Sequence, residues 1–195
     1  SELGALTPIG LGTTTISATL AGVRAKGSAT LEVAGPFEFA PVPPGRDPND
    51  VISIFSDAYQ DVTVDFYNGF FGGQTTVGGA VQITEEDAVL IYDELNFVAV
   101  GFSNPTVNAS QMTHVHVDIR IEESIDSGDE IRVELIDFGP NGVFDGVGTD
   151  DSGGSVTFSS GALEQGTWIS LDIPLTDFSN PTGGGFTGLT STANL

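Results

Sequence analysis

Hydrophobic and polar residues alternate in short runs along most of this chain, and turn residues separate the runs. The clearest run is residues 113–121, where Val115, Val117 and Ile119 occupy odd positions. His114, His116, Asp118 and Arg120 occupy the even positions between and beside them. A period of two is typical of a β-strand with one face on a core and a polar opposite face.

Similar runs recur at short spacing after residue 50, and no segment has a convincing helical period. Nine strands are predicted there, at residues 51–55, 62–66, 80–83, 88–92, 95–102, 113–121, 130–136, 155–158 and 167–173. Many short strands without helices indicate an all-β domain. The expected architecture is an antiparallel β-sandwich of the jelly-roll type.

Two further alternating runs, residues 13–20 and 27–33, flank residues 21–24 and predict a β-hairpin. The string LTPIGLGTTTI at residues 6–16 resembles the C-terminal half of a group 2 bacterial immunoglobulin-like module. The resemblance implies a partial module at residues 1–34. Residues 35–50 hold five prolines and predict a stiff linker. The sandwich domain is expected at residues 51–195.

Charge and composition narrow the possible functions. The formal net charge is −22, with 27 Asp and Glu against 5 Lys and Arg. This charge disfavours nucleic acid and anionic membrane surfaces and favours cations as partners. No apolar run is long enough to insert into a membrane. The chain has no cysteine, which excludes disulfides and thiolate chemistry. No leader sequence opens the chain, so Ser1 is not expected to be the natural start.

Four strings after residue 48 resemble β-sandwich modules of the carbohydrate-binding type. They are NDVISIFSDAYQDV at 49–62, MTHVHVDI at 112–119, DEIRVELIDFGPNG at 129–142 and GTWISLDIPLTDF at 166–178. Such modules accompany secreted laminarinase-like enzymes and surface proteins of marine Bacteroidetes. The resemblance implies an extracellular or cell-surface module with structural calcium that binds a β-glucan or a related polysaccharide. It also implies that the last strands of the domain are missing here.

Residues 137–151 alternate oxygen-bearing side chains with glycines, which suits the six to eight oxygen ligands of Ca²⁺. The expected ligands are Asp137, Asn141, Asp145, Asp150 and Asp151. The spacing is not that of an EF-hand. The alternative is a solvated acidic hairpin loop, because Asp-Gly and Asn-Gly are common in turns.

Asp57 is a second calcium candidate. Related sandwiches hold a structural calcium between their first and last strands, and the resemblance assigns Asp57 to that position. The alternative is that Asp57 caps a turn.

His114 and His116 form an H-x-H pair on one strand face, which could hold a transition metal. The composition favours another role, in which the histidines, Asp118 and Arg120 form a polar sheet face. In that interpretation they pair across strands with Arg132 and Glu134 and contribute to ligand binding.

Sugar binding generally needs an aromatic surface beside hydrogen-bonding groups. The glycine-rich segment 66–73 offers Tyr67, Phe70 and Phe71 for such a surface. In the alternative, Phe66 and Phe70 anchor the core and only Tyr67 and Phe71 are exposed. Trp168 alternates with core residues of its strand and is either a ligand platform or a packing residue.

No nucleophile motif and no glycosidase carboxylate spacing was found, so an enzyme is not expected. The leading hypothesis is a non-catalytic polysaccharide-binding module within a larger secreted protein. The alternative is a structural or adhesive fibre protein built from calcium-rigidified β-modules. Because both ends look cut within a domain, open strand edges there would allow self-association by strand addition.

Overall fold

The computed structural model describes residues 12–33, 39–84, 87–147, 150–179 and 189. The chain divides into two compact units, residues 1–39 and 40–195. The boundary between the two units, at residues 39 and 40, falls inside the linker predicted at residues 35–50. Whether the first unit is part of an immunoglobulin-like module stays a prediction.

The first unit contains one antiparallel hairpin. Strand β1 spans Gly12–Leu20 and β2 spans Val23–Val33. Ala21 and Gly22 connect them with φ of 49° and 82°. Two consecutive positive φ values give the turn twist that matches a two-residue hairpin. All described side chains from Thr15 to Thr30 are exposed, so this hairpin buries neither face among the described residues.

The second unit contains three further antiparallel pairs. Strand β3 (Val77–Thr84) pairs with β4 (Asp87–Asp93), β5 (His114–Arg120) with β8 (Trp168–Pro174), and β6 (Glu130–Asp137) with β7 (Ser152–Ser159). The helices are single 3₁₀ turns at Pro48–Asp50, Ser160–Ala162 and Leu175–Asp177. No helix within the described residues could cross a membrane. The all-β prediction is confirmed.

The core of the second unit lies between the β5–β8 pair and the β6–β7 pair. Its buried centre contains Leu171 and Ile173 of β8 together with Phe178. Half-buried side chains from all four strands pack on this centre, namely Val115, Val117, Ile119, Val133, Leu135, Val156, Phe158 and Ile169. The chain therefore leaves β5, forms the β6–β7 hairpin over it, and returns as β8. This arrangement is sandwich-like. The alternation predicted for residues 113–121 and 167–173 correctly identifies the side chains that face the core.

Three predicted strands are wrong. Residues 51–55, 62–66 and 95–102 form only isolated bridges, Ser53 with Asp61 and Phe66 with Gly101. In the third segment the Asn96 side chain accepts from the Thr75 amide at 2.8 Å and donates to the Gly73 carbonyl at 2.9 Å. Such side-chain bonds satisfy the backbone without a strand ladder.

Candidate functional site

Residues 66–76, here called the aromatic loop, expose three phenylalanine rings to solvent, and Phe66 is the least exposed of them at 38%. Phe70 is 71% exposed and Phe71 is 49% exposed. The Phe71 ring contacts Phe66 edge to face, with centroids 6.0 Å apart. Phe70 has a φ of 50°, in the left-handed region that a bulky side chain rarely adopts. A backbone strained in this way persists only where the surrounding structure fixes it.

Asn68 fixes the aromatic loop from inside. Its side chain is buried, and its Nδ2 donates to the carbonyls of Thr76 and Gly78 at 3.3 and 3.4 Å. Gln74 Nε2 donates to Asn68 Oδ1, and Gln74 Oε1 accepts from the Phe71 amide at 2.9 Å. The loop is thus tied at its base and at Phe71.

Thr76 and Asn96 extend this network to the next segment. The Thr76 hydroxyl is buried and donates to the Phe97 carbonyl at 2.6 Å. It also accepts from the Asn96 amide at 3.1 Å. The aromatic loop therefore rests on a hydrogen-bonded base rather than on the apolar core.

Tyr67 is part of this support and not of the exposed surface. Its ring is half-buried, meets Phe55 edge to face at 5.3 Å, and its hydroxyl donates to the Ile54 carbonyl at 3.1 Å. Tyr92 in turn donates to the Tyr67 carbonyl at 2.6 Å. The alternative prediction, with Phe66 and Phe70 buried and Tyr67 exposed, is wrong.

Both tyrosines have a perturbed acidity. Burial, and then the negative charge of Asp61, raises the pKa of Tyr67 above its ordinary value of 10.0. Burial, and then Tyr67, raises the pKa of Tyr92 in the same direction. Both hydroxyls are therefore held in the protonated form that donates these bonds.

The face of the β5–β8 pair opposite its core-facing side chains, here called the polar face, carries most of the other predicted ligand-binding residues. Opposite positions in this pair are His114 with Pro174, His116 with Asp172, Asp118 with Ser170, and Arg120 with Trp168. Trp168 is half-buried, and its register places it beside Arg120. One strand pair therefore brings His116, Asp118, Arg120 and Trp168 together.

Neighbouring side chains supply hydrogen-bond or ion-pair partners to much of the polar face. His116 Nε2 lies 3.3 Å from Asp118 Oδ2, and the Ser170 hydroxyl donates to Asp118. Arg120 pairs with Glu122 at 2.5 Å and Arg46 with Asp172 at 3.9 Å. His114 is exposed and contacts the Thr113 hydroxyl through Nδ1 at 2.9 Å.

The predicted pairing of this face with Arg132 and Glu134 is wrong. Those residues lie on β6, whose partner is β7 rather than β5. Arg132 pairs instead with Glu134 of its own strand, at 3.3 Å. Alternation along a strand identifies its polar face but not the strand that lies beside it.

The loop between β6 and β7 contains the predicted calcium ligands. Asp137 and Asp151 are buried, at 2% and 1% exposure. Asp151 Oδ2 accepts from the amides of Asp145 and Gly146, each at 2.7 Å. Asp137 Oδ1 accepts from the Gly139 amide at 2.9 Å. The alternative of a fully solvated acidic loop is wrong for these two carboxylates.

The other predicted ligands of this loop are exposed. Asn141 Nδ2 donates to Asp145 Oδ2 at 2.9 Å, while Asn141 Oδ1 accepts from the Val143 amide at 2.7 Å. Asp150 is exposed, and its backbone lies against Gly139, where an added Cβ would meet the Asp150 carbonyl oxygen at 2.5 Å. Within the described residues, no group of three or more His, Cys, Asp or Glu side chains is placed to hold a metal ion.

Asp57 contacts the start of β4. Its Oδ2 accepts from the Ala88 amide at 2.9 Å. The neighbouring Asp87 is buried, and among the described residues its Oδ2 has no hydrogen-bond partner. Asp87 was not predicted as a site residue, because it ends an acidic run that looks solvent-exposed in the sequence.

The supporting residues of the aromatic loop were also missed. Asn68 precedes a glycine and reads as ordinary turn chemistry, and Gln74 and Asn96 carry no pattern of their own. Their role depends on side-chain bonds that span 3 to 10 residues for Asn68 and Gln74 and 20 to 23 residues for Asn96. Periodicity does not show such bonds. Comparison with protein-family models, curated proteins and solved structures found no match for this chain.

Proposed function

We propose that this chain is a non-catalytic, extracellular carbohydrate-binding module and that the aromatic loop is its glycan-binding surface. The observation that carries the proposal is Phe70, a bulky residue with positive φ whose ring is 71% exposed. A strained backbone that presents an aromatic ring to solvent suggests selection for contact with a ligand.

The construction of the loop supports sugar stacking. Pyranose rings offer an apolar face to an aromatic side chain, and Phe70 and Phe71 supply two such side chains in sequence. The buried Asn68 and the Gln74 bond to Phe71 hold the loop before a ligand arrives. A binding surface that is already ordered loses less conformational entropy on association.

Charge favours a neutral polysaccharide. With a net charge of −22, the protein repels sulfated and uronic-acid-rich chains at moderate ionic strength. A β-glucan has no such charge and agrees with the family resemblance. The polar face contributes less in this proposal, because Asp118, Arg120 and Asp172 already have partners among neighbouring side chains.

Affinity electrophoresis through gels that contain laminarin or other algal polysaccharides tests the proposal. Wild-type protein should be retarded by a neutral β-glucan, and a Phe70→Ala/Phe71→Ala variant should migrate as in a glycan-free gel. His114→Ala, an exposed change on the polar face, is the matched control and should be retarded like the wild type. Unretarded wild-type protein in every gel contradicts the proposal.

A second candidate function is a structural β-module that assembles with neighbouring modules. The hairpin β1–β2 favours it, because its described side chains, residues 15–30, are all exposed and a two-stranded hairpin is marginal in water by itself. Strand addition from another module would complete such a hairpin. Electron micrographs of concentrated protein should then show filaments that a chelator dissolves, and monodisperse particles would exclude this role.

A further inference from the structure

The edge of β8 that faces away from β5, here called the open edge, has no strand beside it within the described residues. Strand β8 pairs with β5 alone. The Leu175 amide donates to the Thr113 carbonyl at 2.9 Å and continues the register of this pair. Hydrogen-bonded positions alternate along an antiparallel ladder, so the odd-numbered residues of β8 bond to β5. The backbone groups of Ser170 and Asp172 therefore point to the open edge.

A cleft of about 190 Å³ follows the open edge. Residues 170–174 of β8 line it together with Val156 and Phe158 of β7. Successive side chains of a strand point to opposite faces, so a cleft that touches residues of both faces must run along the edge of the strand. Leu171 and Ile173 give the cleft an apolar floor that belongs to the core.

The rim of the cleft is acidic. Asp172 and Asp177 both line it, and both are exposed. Arg46 Nη2 lies 3.9 Å from Asp172 Oδ2, which is longer than a hydrogen bond, and 47% of the Asp172 side chain remains exposed. The cleft therefore suits a strand that carries a cation on one face and small apolar side chains on the other.

Strand β2 has this chemistry. Val23 and Ala25 alternate with Arg24 and Lys26, and all four side chains are exposed. Arg24 and Lys26 are two of the 5 Lys and Arg residues of the chain. Within the described residues β2 pairs with β1 alone. A hairpin turn bonds the residues on either side of it, here Leu20 and Val23, so the backbone groups of Arg24 point to the outer edge of β2.

We propose that β2 of one copy of this chain adds antiparallel to the open edge of β8 in a second copy. The proposal rests on the second candidate function and names its interface. Arg24 lies opposite Asp172, where the backbone groups of both residues face the new ladder. Val23 and Ala25, on either side of Arg24, enter the cleft beside the core-facing residues of β8. Because the two strands are different surfaces, the contact can repeat from copy to copy and build a filament.

Sedimentation velocity of the full chain over a range of concentrations tests this interface. Wild-type protein should self-associate. Arg24→Asp and Asp172→Arg each place like charges opposite one another and should each raise the Kd of association at least about tenfold. The double variant Arg24→Asp/Asp172→Arg restores opposite charges and should associate as the wild type does. Glu164→Arg makes the same charge change at an exposed position outside the cleft and should have no effect.

Two outcomes overturn the proposal and are distinguishable. Association that neither charge reversal weakens, or that the double variant does not restore, excludes this interface and leaves the second candidate function standing. A wild-type protein that is monomeric at every concentration excludes both. The Phe70→Ala/Phe71→Ala variant should associate as the wild type does, which separates this test from that of glycan binding.

Disulfide trapping remains decisive if a charge-reversal variant does not fold. The chain has no cysteine, so each single-cysteine variant carries one thiol. Mixing Arg24→Cys protein with Asp172→Cys protein under mild oxidation should give a disulfide between positions 24 and 172, which can join only different copies. Mass spectrometry of the digested product identifies the bond. A yield no higher than with Glu164→Cys in place of Asp172→Cys overturns the proposal.

Discussion

Gly69 and Gly72 allow the arrangement of the aromatic loop to be tested with two changes of the same size. A Cβ added at Gly69 would lie 2.3 Å from Phe71 Cε2 and 2.8 Å from Phe66 Cε2. A Cβ added at Gly72 would have no neighbour within 4 Å. Neither glycine has a positive φ. Gly69→Ala therefore displaces two rings of the loop, whereas Gly72→Ala displaces none.

The size of the effect follows from the overlap. Carbon atoms at rest lie about 3.5–4.0 Å apart, so the new methyl group is more than about 1 Å too close to Phe71. Phe66 and Phe71 are partly exposed and can rotate outward, so the cost to stability should be about 1 kcal/mol, the low end for overpacking. For a unit of this size we expect the melting temperature to fall by roughly 2–4 °C.

The effect on ligand binding should be larger than the effect on stability. Gly69→Ala displaces the exposed Phe71 ring from its position against Phe66, and losing one stacking contact with the sugar costs about 1.4 kcal/mol, or about tenfold in Kd. Calorimetry with a β-1,3-gluco-oligosaccharide should show this loss for Gly69→Ala and none for Gly72→Ala. Equal affinities of the two folded variants would refute the proposed arrangement of rings.

Three further outcomes follow from the structure. The raised pKa of Tyr67 and of Tyr92 favours the protonated donor in the folded state. The stability that the two tyrosines contribute is therefore full below about pH 10 and is lost as pH rises through the folded-state pKa. Thermal melts at about pH 8 and about pH 11 should show this loss, and equal melting temperatures would contradict it. Leu171→Ala removes a core side chain that is 8% exposed, and urea unfolding should show a loss of about 2–5 kcal/mol, whereas a loss below about 1 kcal/mol would place Leu171 outside the core. Asn68→Ala removes the amide that pairs with the Thr76 carbonyl and with Gln74 Nε2, so we expect a loss of about 1–3 kcal/mol in the free energy of unfolding together with weaker glycan binding. Unchanged glycan affinity would show that Asn68 does not fix the loop.

Local patterns predicted the parts of the fold that depend on neighbours in the chain. The Ala21-Gly22 turn and its two strands follow from turn chemistry and alternation. The same alternation separates Leu171 and Ile173 from Ser170 and Asp172 on β8. These features need only backbone geometry and the burial of one face.

Features that depend on contacts between distant segments were not predictable in this way. The pairing of β5 with β8 rather than β6 is a matter of strand order, which a period of two does not encode. The failure of residues 95–102 to form a strand depends on Asn96, whose side chain bonds to residues 73 and 75. In the acidic loop, composition suggested five ligands, but burial distinguishes Asp137 and Asp151 from the exposed Asp145 and Asp150.

Amide NMR mapping of a neutral β-1,3-gluco-oligosaccharide on the wild-type protein tests the proposed function most directly. The proposal predicts shifts concentrated in residues 69–75, with little change on the polar face at residues 114–120 and 168–174. Shifts centred on the polar face, or no shifts with any neutral β-glucan oligosaccharide, would contradict the assignment of glycan binding to the aromatic loop.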